Sequence, residues 1–428
     1  MKMTSQFLKV GRTSLIGIAA ALLMCSFTQA EEVPAGTTIS ASNIDTLKGK
    51  TFEGKTIESM LTEKLEWRIR TSGMKMTLAP SKEVALDPKW VKESNKNIGR
   101  AKINPQTRQV EGWEAGEPFP NVDAKDPSAA EKLIWNWYYG QNRGDVAYCP
   151  YFTYLLVDPN KGIHSAQVAE YTRYSLKGRL SGGSTVEGNG KDVGKQILYF
   201  KAPTDIKGVG TFTLLHDSAQ VADVWAYIPA VRRVRRLSGG AWMDPIGSTD
   251  QLQDDLEAFN ARPSWYKSYK LLGKRWVLAV ANGKFPLWKP KANSEAEMYP
   301  ALDLNTKPYW NLNNDLYEPR EVWVIEAETP EEHPYSKKIL YMDTKYPRFY
   351  YAEAYNRKGE FWKFLEFHSY WGTADDGFHD VRSTSGLIVD FKRNHATVFL
   401  VDTTTWHTNP KGIKSDDVSL SSLEAAGK

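Results

Sequence analysis

Residues 321–329 read EVWVIEAET. Trp323, Ile325 and Ala327 fall to one side of that run, and Glu326 and Glu328 fall to the other. A period of two is the signature of a strand, because successive side chains leave a pleated backbone on opposite faces. Working outward, residues 337–343 form a second such run after a Pro-containing loop. Runs 348–355 and 360–371 flank Asn356-Arg357-Lys358-Gly359, which reads as a hairpin with a Gly-ended turn. Runs 386–391 and 396–402 flank residues 392–395 as a second hairpin. Toward the N-terminus, residues 164–180 alternate loosely into the Ser-Gly-Gly-Ser turn at 181–184. Segments 196–201, 208–216 and 224–228 continue the pattern, the last ended by Pro229. Consecutive hairpins imply an antiparallel meander and exclude a doubly wound parallel sheet. The fold class is therefore α+β, mainly β: a large antiparallel sheet with a few covering helices.

Three helices are expected. Ile57, Met60, Leu61 and Leu65 share one face, with Thr56 as the cap. Residues 128–139 follow Asp126-Pro127 and stop at Gly140. Residues 249–259 are acidic in their first turns, as the helix dipole favours. No repeat or linker divides the chain. One domain is expected, with an N-terminal layer (31–150) on a sheet body (151–408) and a loose polar tail (409–428).

The first thirty residues stand apart. Lys2, Lys9 and Arg12 precede an apolar run from Leu15 to Met24, and Thr28-Gln29-Ala30 offers a small-residue exit. That is the grammar of a cleavable signal peptide (1–30) and implies export to the periplasm of a Gram-negative cell. Cys25 follows Met24, where a lipidation signal needs a small residue, so a soluble mature chain starting near Glu31 is expected. Losing three cations and no acid takes the net charge from +4 to +1. A near-neutral chain has no global field to hold nucleic acid or an anionic membrane. Cys149 is then the one remaining thiol, so the domain stands on its core rather than on a disulfide. Set in Tyr148-Cys149-Pro150-Tyr151, it reads as buried and inert. The 15 Trp and 21 Tyr supply large amphipathic rings suited to broad sheets and ligand surfaces.

Catalytic motifs are missing. The glycine-rich stretch 188–195 fails as a phosphate loop, with Asn189 and Gln196 where the pattern needs Gly and Ser or Thr. There is no Gly-x-Ser-x-Gly elbow and no His-Glu-x-x-His. His368 and His379, near Asp375, Asp376 and Asp380, have ligand-like types but no metal spacing. Neither catalytic residue, metal nor cofactor is expected.

The stretch 223–275 is the most informative for function. Trp225, Tyr227 and Pro229 lead into Arg232-Arg233-Val234-Arg235-Arg236, and an acidic run with Asp250, Asp254, Asp255 and Glu257 follows. Period two places Arg232 and Arg236 on one sheet face and Arg233 and Arg235 on the other. These arginines are expected to pair with Asp250, Asp254 and Asp255 as a strap of ion pairs, or else to contact a ligand headgroup. Trp242, Met243, Phe259, Trp265 and Tyr266 are the expected lining or lid of an apolar site.

This pattern resembles the bacterial domain-of-unknown-function family 1329, within the outer-membrane lipoprotein-sorting-like (LolA/LolB-like) superfamily. Further marks of the family stand in order: Gly112-Trp113, residues 116–120 (GEPFP), Trp135-Asn136, Trp265-Tyr266, Leu272-Gly273-Lys274, residues 322–327 (VWVIEA), residues 335–338 (YSKK) and residues 359–362 (GEFW). The family's acidic segment usually opens with an aromatic that Gly247-Ser248-Thr249-Asp250 lacks. The resemblance implies a curved half-barrel closed by helices over an apolar cavity. It also implies a periplasmic carrier or adaptor for a hydrophobic, lipid-like ligand, working with an efflux-type inner-membrane transporter and an outer-membrane partner. A carrier requires an apolar cavity of several hundred Å³ or more. The alternative is a non-catalytic scaffold of an envelope complex, with a filled core. A hydrolase built on His368 or His379 beside Asp375 is a third reading.

Overall fold

The computed structural model describes residues 30–427 apart from 142, 182, 284, 285, 290, 314 and 402–404. The expected signal peptide and Cys25 lie outside the described residues. Thirteen long strands build the body: β1 (Val146–Asp158), β2 (Gly162–Ser175), β3 (Asp192–Ala202), β4 (Gly210–His216), β5 (Asp223–Ile228), β6 (Arg233–Arg236), β7 (Ser268–Ala279), β8 (Leu316–Glu328), β9 (Tyr335–Asp343), β10 (Phe349–Asn356), β11 (Phe361–Thr373), β12 (His379–Asp390) and β13 (His395–Leu400). They pair antiparallel in one sheet, in the order β7 through β13 and then β1 through β6. Every neighbour is consecutive in the chain except β13 and β1, which join the two meanders. Three short strands of two or three residues complete a 16-stranded sheet, and one of them, Met76–Leu78, pairs parallel to the start of β8. The mainly-β antiparallel expectation holds, and each strand expected from alternation is present.

Both faces of the sheet are covered, which is why so many strands are apolar on each side. One face carries Trp323, Ile325 and Ala327 of β8, Leu365 and Phe367 of β11 and Phe399 of β13. It is buried under a helix and an irregular segment at 246–266. The other face carries Val322 and Phe364 and is buried under residues 33–78, while Leu155, Leu387 and Val398 lie under residues 287–312. The expected boundary at 150/151 falls inside β1.

The N-terminal helix is two helices rather than one. Helix α1 (Ile57–Met60) ends at Leu61, and α2 (Glu63–Thr71) restarts with Thr62 as its cap, Thr62 Oγ1 accepting from Leu65 N at 3.1 Å. Thr56 precedes the first helix but makes no side-chain cap there. The expected helix at 128–139 is α3 (Ala129–Gly140), whose Leu133, Ile134 and Trp137 pack on the sheet. The tail expected to be loose ends in α4 (Leu420–Ala426), with Val418 and Leu423 buried against Tyr227, Phe212 and Ile197. Its apolar positions are too few to stand out in a polar stretch, yet each one is used. Among the described residues, no helix is long and apolar enough to cross a membrane.

Candidate functional site: an acidic strap beside an apolar cleft

The acidic run expected as a helix at 249–259 is not one. It forms short 3-10 turns, interrupted by non-helical Leu256 and by Glu257 at φ 50°. A helix would turn successive carboxylates about 100° apart. Here Asp250, Asp254, Asp255 and Glu257 all find cationic or hydroxyl partners, and that requirement overrides the local propensity. A buried carboxylate without a partner is far costlier than an irregular turn.

Three anchors hold this strap to the sheet. At the first, Asp250 accepts from Arg393 Nη1 (2.8 Å), His395 Nδ1 (2.6 Å) and Thr397 Oγ1 (2.9 Å). At the second, Lys338 Nζ from β9 lies 2.9 Å from Asp254 Oδ2 and 2.8 Å from Asp255 Oδ1. The same ammonium donates to the backbone oxygens of Asp254 (3.0 Å) and Ala258 (3.1 Å). Tyr266 and Tyr335 hydroxyls cap Asp254 Oδ2 (2.6 Å) and Asp255 Oδ2 (2.7 Å). Burial alone would lower the pKa of Lys338, but the two carboxylates reverse that and hold it above the usual lysine value. Asp254 is held below the usual carboxylate range against its burial, chiefly by Lys338 and His333. At the third, Glu257 accepts from Arg143 Nη1 (2.8 Å), Arg348 Nη1 (3.0 Å) and the Ser383 hydroxyl. Burial opposes ionisation there, and the two arginines outweigh it, taking its pKa down to about 2.

The expected strap of ion pairs therefore exists, but with other cations. Arg233, Arg235 and Arg236 lie exposed on β6, the last strand of the sheet, and Arg232 lies exposed just before it at φ 47°. Arg236 pairs with Asp223 and sits 5.9 Å from the Trp225 ring. None of the four meets Asp250, Asp254 or Asp255. Charges on an edge strand discourage pairing with another chain, which gives this cluster a structural use.

Beside the strap, a cleft opens against β1, β2, β3 and β13. Phe152, Tyr154, Tyr171, Leu198, Phe399 and Leu256 supply most of its wall, with Arg143, Glu257 and Ser383 in the same lining. It spans about 710 Å³ counting its open mouth, of which about 100 Å³ admits a water-sized molecule. The several hundred Å³ expected of a carrier is reached only with the mouth included, so the present shape suits a slim chain. None of the five expected lining residues borders it. Phe259 and Tyr266 are buried in the core, their rings 4.8 Å apart. Trp242 packs 5.5 Å from Trp265 and 5.2 Å from His333, which covers the second anchor, and Met243 is half-buried alongside it. These residues roof the strap instead of facing a ligand. Sequence reasoning missed Lys338, Arg143 and Arg348, because a buried lysine or arginine in a strand or loop looks the same as a solvated one.

His368 and His379 are not brought together. His368 is buried on β11, and His379 is exposed at the start of β12, five residues along the paired strands and so roughly 16 Å away. His368 Nδ1 lies 2.6 Å from Asp315 Oδ2 and Nε2 lies 3.0 Å from Glu366 Oε1. Glu366 also receives Arg68 of α2 (2.6 Å) and the Tyr317 hydroxyl (2.9 Å). Burial would lower the His368 pKa, but the two carboxylates raise it to about 9, so the charged ring bridges Asp315 and Glu366, and Arg68 on Glu366 ties the N-terminal layer to the sheet. Cys149 is buried, its Sγ 3.4 Å from Tyr151 O. Among the described residues, no group of three or more His, Cys, Asp or Glu could hold a metal ion.

The fold is a large antiparallel sheet with an apolar cleft beside a strap of buried ion pairs. The chain belongs to the family described as "Protein of unknown function (DUF1329)", whose model matches residues 38–423. It is 25% identical over 347 residues to the uncharacterized protein PA3922 of Pseudomonas aeruginosa, covering 78% of this chain and 69% of that one. Among solved structures it is similar to a putative outer membrane lipoprotein-sorting protein domain from Vibrio parahaemolyticus, at 16% identity and a TM-score of 0.47, over 71% of this chain and all of that one. A DUF1329 family protein from Desulfovibrio piger matches at 15% identity and a TM-score of 0.44, over 65% of this chain and 92% of the other. A LolA superfamily protein from Nitrosomonas europaea matches at 13% identity and a TM-score of 0.35, over 68% of this chain and 95% of the other. These overlaps are partial.

Proposed function

We propose that the protein is a non-enzymatic periplasmic carrier or adaptor that holds a hydrophobic, lipid-like ligand in the cleft beside the strap. The apolar wall of Phe152, Tyr154, Leu198 and Phe399 carries this reading. Each methylene that a ligand buries there contributes about 0.8 kcal/mol, so a dozen would offset a typical association cost. Loading needs the mouth to widen, and the strap is the movable wall, being joined to the sheet by polar anchors. An efflux-type inner-membrane transporter and an outer-membrane partner would supply and receive the ligand. The small enclosed space favours a second reading, a scaffold with a closed core.

The test is native mass spectrometry with lipid extraction on protein purified from the periplasm of its own host, beside a Leu198→Trp variant that fills the cleft. A hydrophobic molecule near one-to-one on the wild type, lost from the variant, is the expected result. An empty wild type that stays empty after incubation with host lipid extract would favour the scaffold.

A further inference from the structure

Two guanidinium groups meet one carboxylate where the cleft meets the strap. Arg143 and Arg348 each contact Glu257, and both lie over the face of Trp137, at 5.4 and 5.9 Å from its centroid. Arg173 of β2, whose Nη2 donates to Gly144 O at 3.0 Å, adds positive charge that helps to lower the pKa of Arg143. Among the described residues, the buried Nε atoms of Arg143 and Arg173 have no hydrogen-bond partner, whereas Arg348 Nε is satisfied by Ser369 at 2.8 Å. Burial and the neighbouring arginines lower Arg143 to a pKa of about 10, even with Glu257 opposing them. Two guanidinium groups on one carboxylate leave the site cationic, so a ligand carboxylate can take the place of Glu257 and keep both arginines paired.

The strap fills this place at a conformational cost. Glu257 and Ala258 are consecutive non-glycine residues at φ 50° and 79°, a left-handed region that residues with a Cβ rarely adopt. The result sets the Leu256 side chain in the apolar cleft and the Glu257 carboxylate against the arginines. A greasy group followed at once by a carboxylate is the outline of a fatty acid.

We propose that the cleft takes a long-chain carboxylate, whose head displaces Glu257 from Arg143 and Arg348 while its chain displaces Leu256. The Leu256-Glu257 pair is then a built-in competitor that closes the empty protein and swings away on loading. This rests on the carrier reading and adds the ligand's charge and the position of its head.

The experiment is a binding titration of the purified mature protein with hexadecanoate and hexadecan-1-ol, which share a chain and differ in the head, below their aggregation limits. In the wild type the acid should bind about tenfold tighter than the alcohol, the scale of one charge-assisted contact. Glu257→Gln should tighten both ligands by about tenfold and keep the preference for the acid, since either chain has to displace Leu256 and with it residue 257. Arg143→Gln should erase the preference for the acid while keeping alcohol binding, and that retained binding shows the variant is folded. Equal binding of acid and alcohol in the wild type and in Glu257→Gln would overturn the headgroup site and leave the hydrophobic carrier standing. Binding of neither ligand to any of the three proteins would overturn the carrier reading and this inference with it.

Discussion

Replacing Lys338 by methionine tests whether polar anchors hold the strap. The ammonium is fully buried and serves two carboxylates and two backbone oxygens at 2.8–3.1 Å. Methionine fills much of the same volume, so the loss is electrostatic and not a cavity. Asp254 and Asp255 keep Tyr266, His333 and Tyr335 but lose their buried cation. Breaking a buried pair from one side costs about 3–5 kcal/mol. Unfolding entropy of about 2 cal/mol/K per residue over roughly 400 residues makes 1 kcal/mol worth about 1 °C. Calorimetry at pH 7 should therefore show a Tm lowered by about 4–6 °C. Hydrogen exchange should quicken in peptides covering 246–259 and stay slow in β11 to β13. Adding Asp254→Asn and Asp255→Asn should restore most of the loss, since the stranded charges are then gone. A Tm within about 1 °C of wild type, or a triple variant no better than the single one, would refute the argument that charge burial fixes the strap.

Two further predictions concern pH and one concerns the tail. Burial raises the Glu117 carboxyl to about 8, from an unfolded value near 4.5. The folded state then holds the extra proton, so stability falls as pH rises between those values. Urea titrations of Glu117→Gln should show a flatter profile from pH 5 to 8 and greater stability than wild type at pH 8. His368, raised to about 9, contributes stability that is full below its unfolded value near 6.5 and is lost as pH climbs through 9. His368→Gln should be less stable at pH 6 and lose that part of the alkaline slope, and an unchanged slope would argue against a charged ring. Leu423→Ala should cost about 2–3 kcal/mol in urea unfolding and speed proteolysis near residue 420, because Leu423 is wholly buried. An unaffected protein would mean that the tail is as loose as its composition suggests.

What the sequence made legible follows from the range of each interaction. Period-two alternation is local, so β8 to β13 could be read from their own residues. β1 could not, because it is buried on both sides and its register shifts between Cys149 and Phe152, around Pro150 and Tyr151. β7 hid behind Gly273, where the register also shifts, and behind a run of lysine and arginine. The acids of 223–275 do pair across to the sheet, though not with the arginines expected for them. Their partners were not legible, because Lys338 lies 84 residues beyond Asp254, and Arg393 and His395 lie 143 and 145 residues beyond Asp250. The nearby arginines were the natural candidates by distance in sequence, and the sheet order places them at its far edge.

The three anchors differ in a way that bears on movement. Lys338 with Asp254 and Asp255 is dry and wholly enclosed, whereas Arg143 and Glu257 are each about 18% exposed at their side chains. Water can enter at the third anchor and take over the hydrogen bonds of a departing Glu257, which lowers the cost of parting there. It cannot do so at the second anchor without unpacking Tyr266 and Tyr335. The strap should therefore open from its Glu257 end, pivoting on Asp254 and Asp255, with the backbone strain at Glu257 and Ala258 released as it goes. Hydrogen exchange with and without hexadecanoate should then change at 256–260 and leave 250–255 as it was. A ligand effect at the Asp254 end alone would place the hinge elsewhere and break the link between the strap and the cleft.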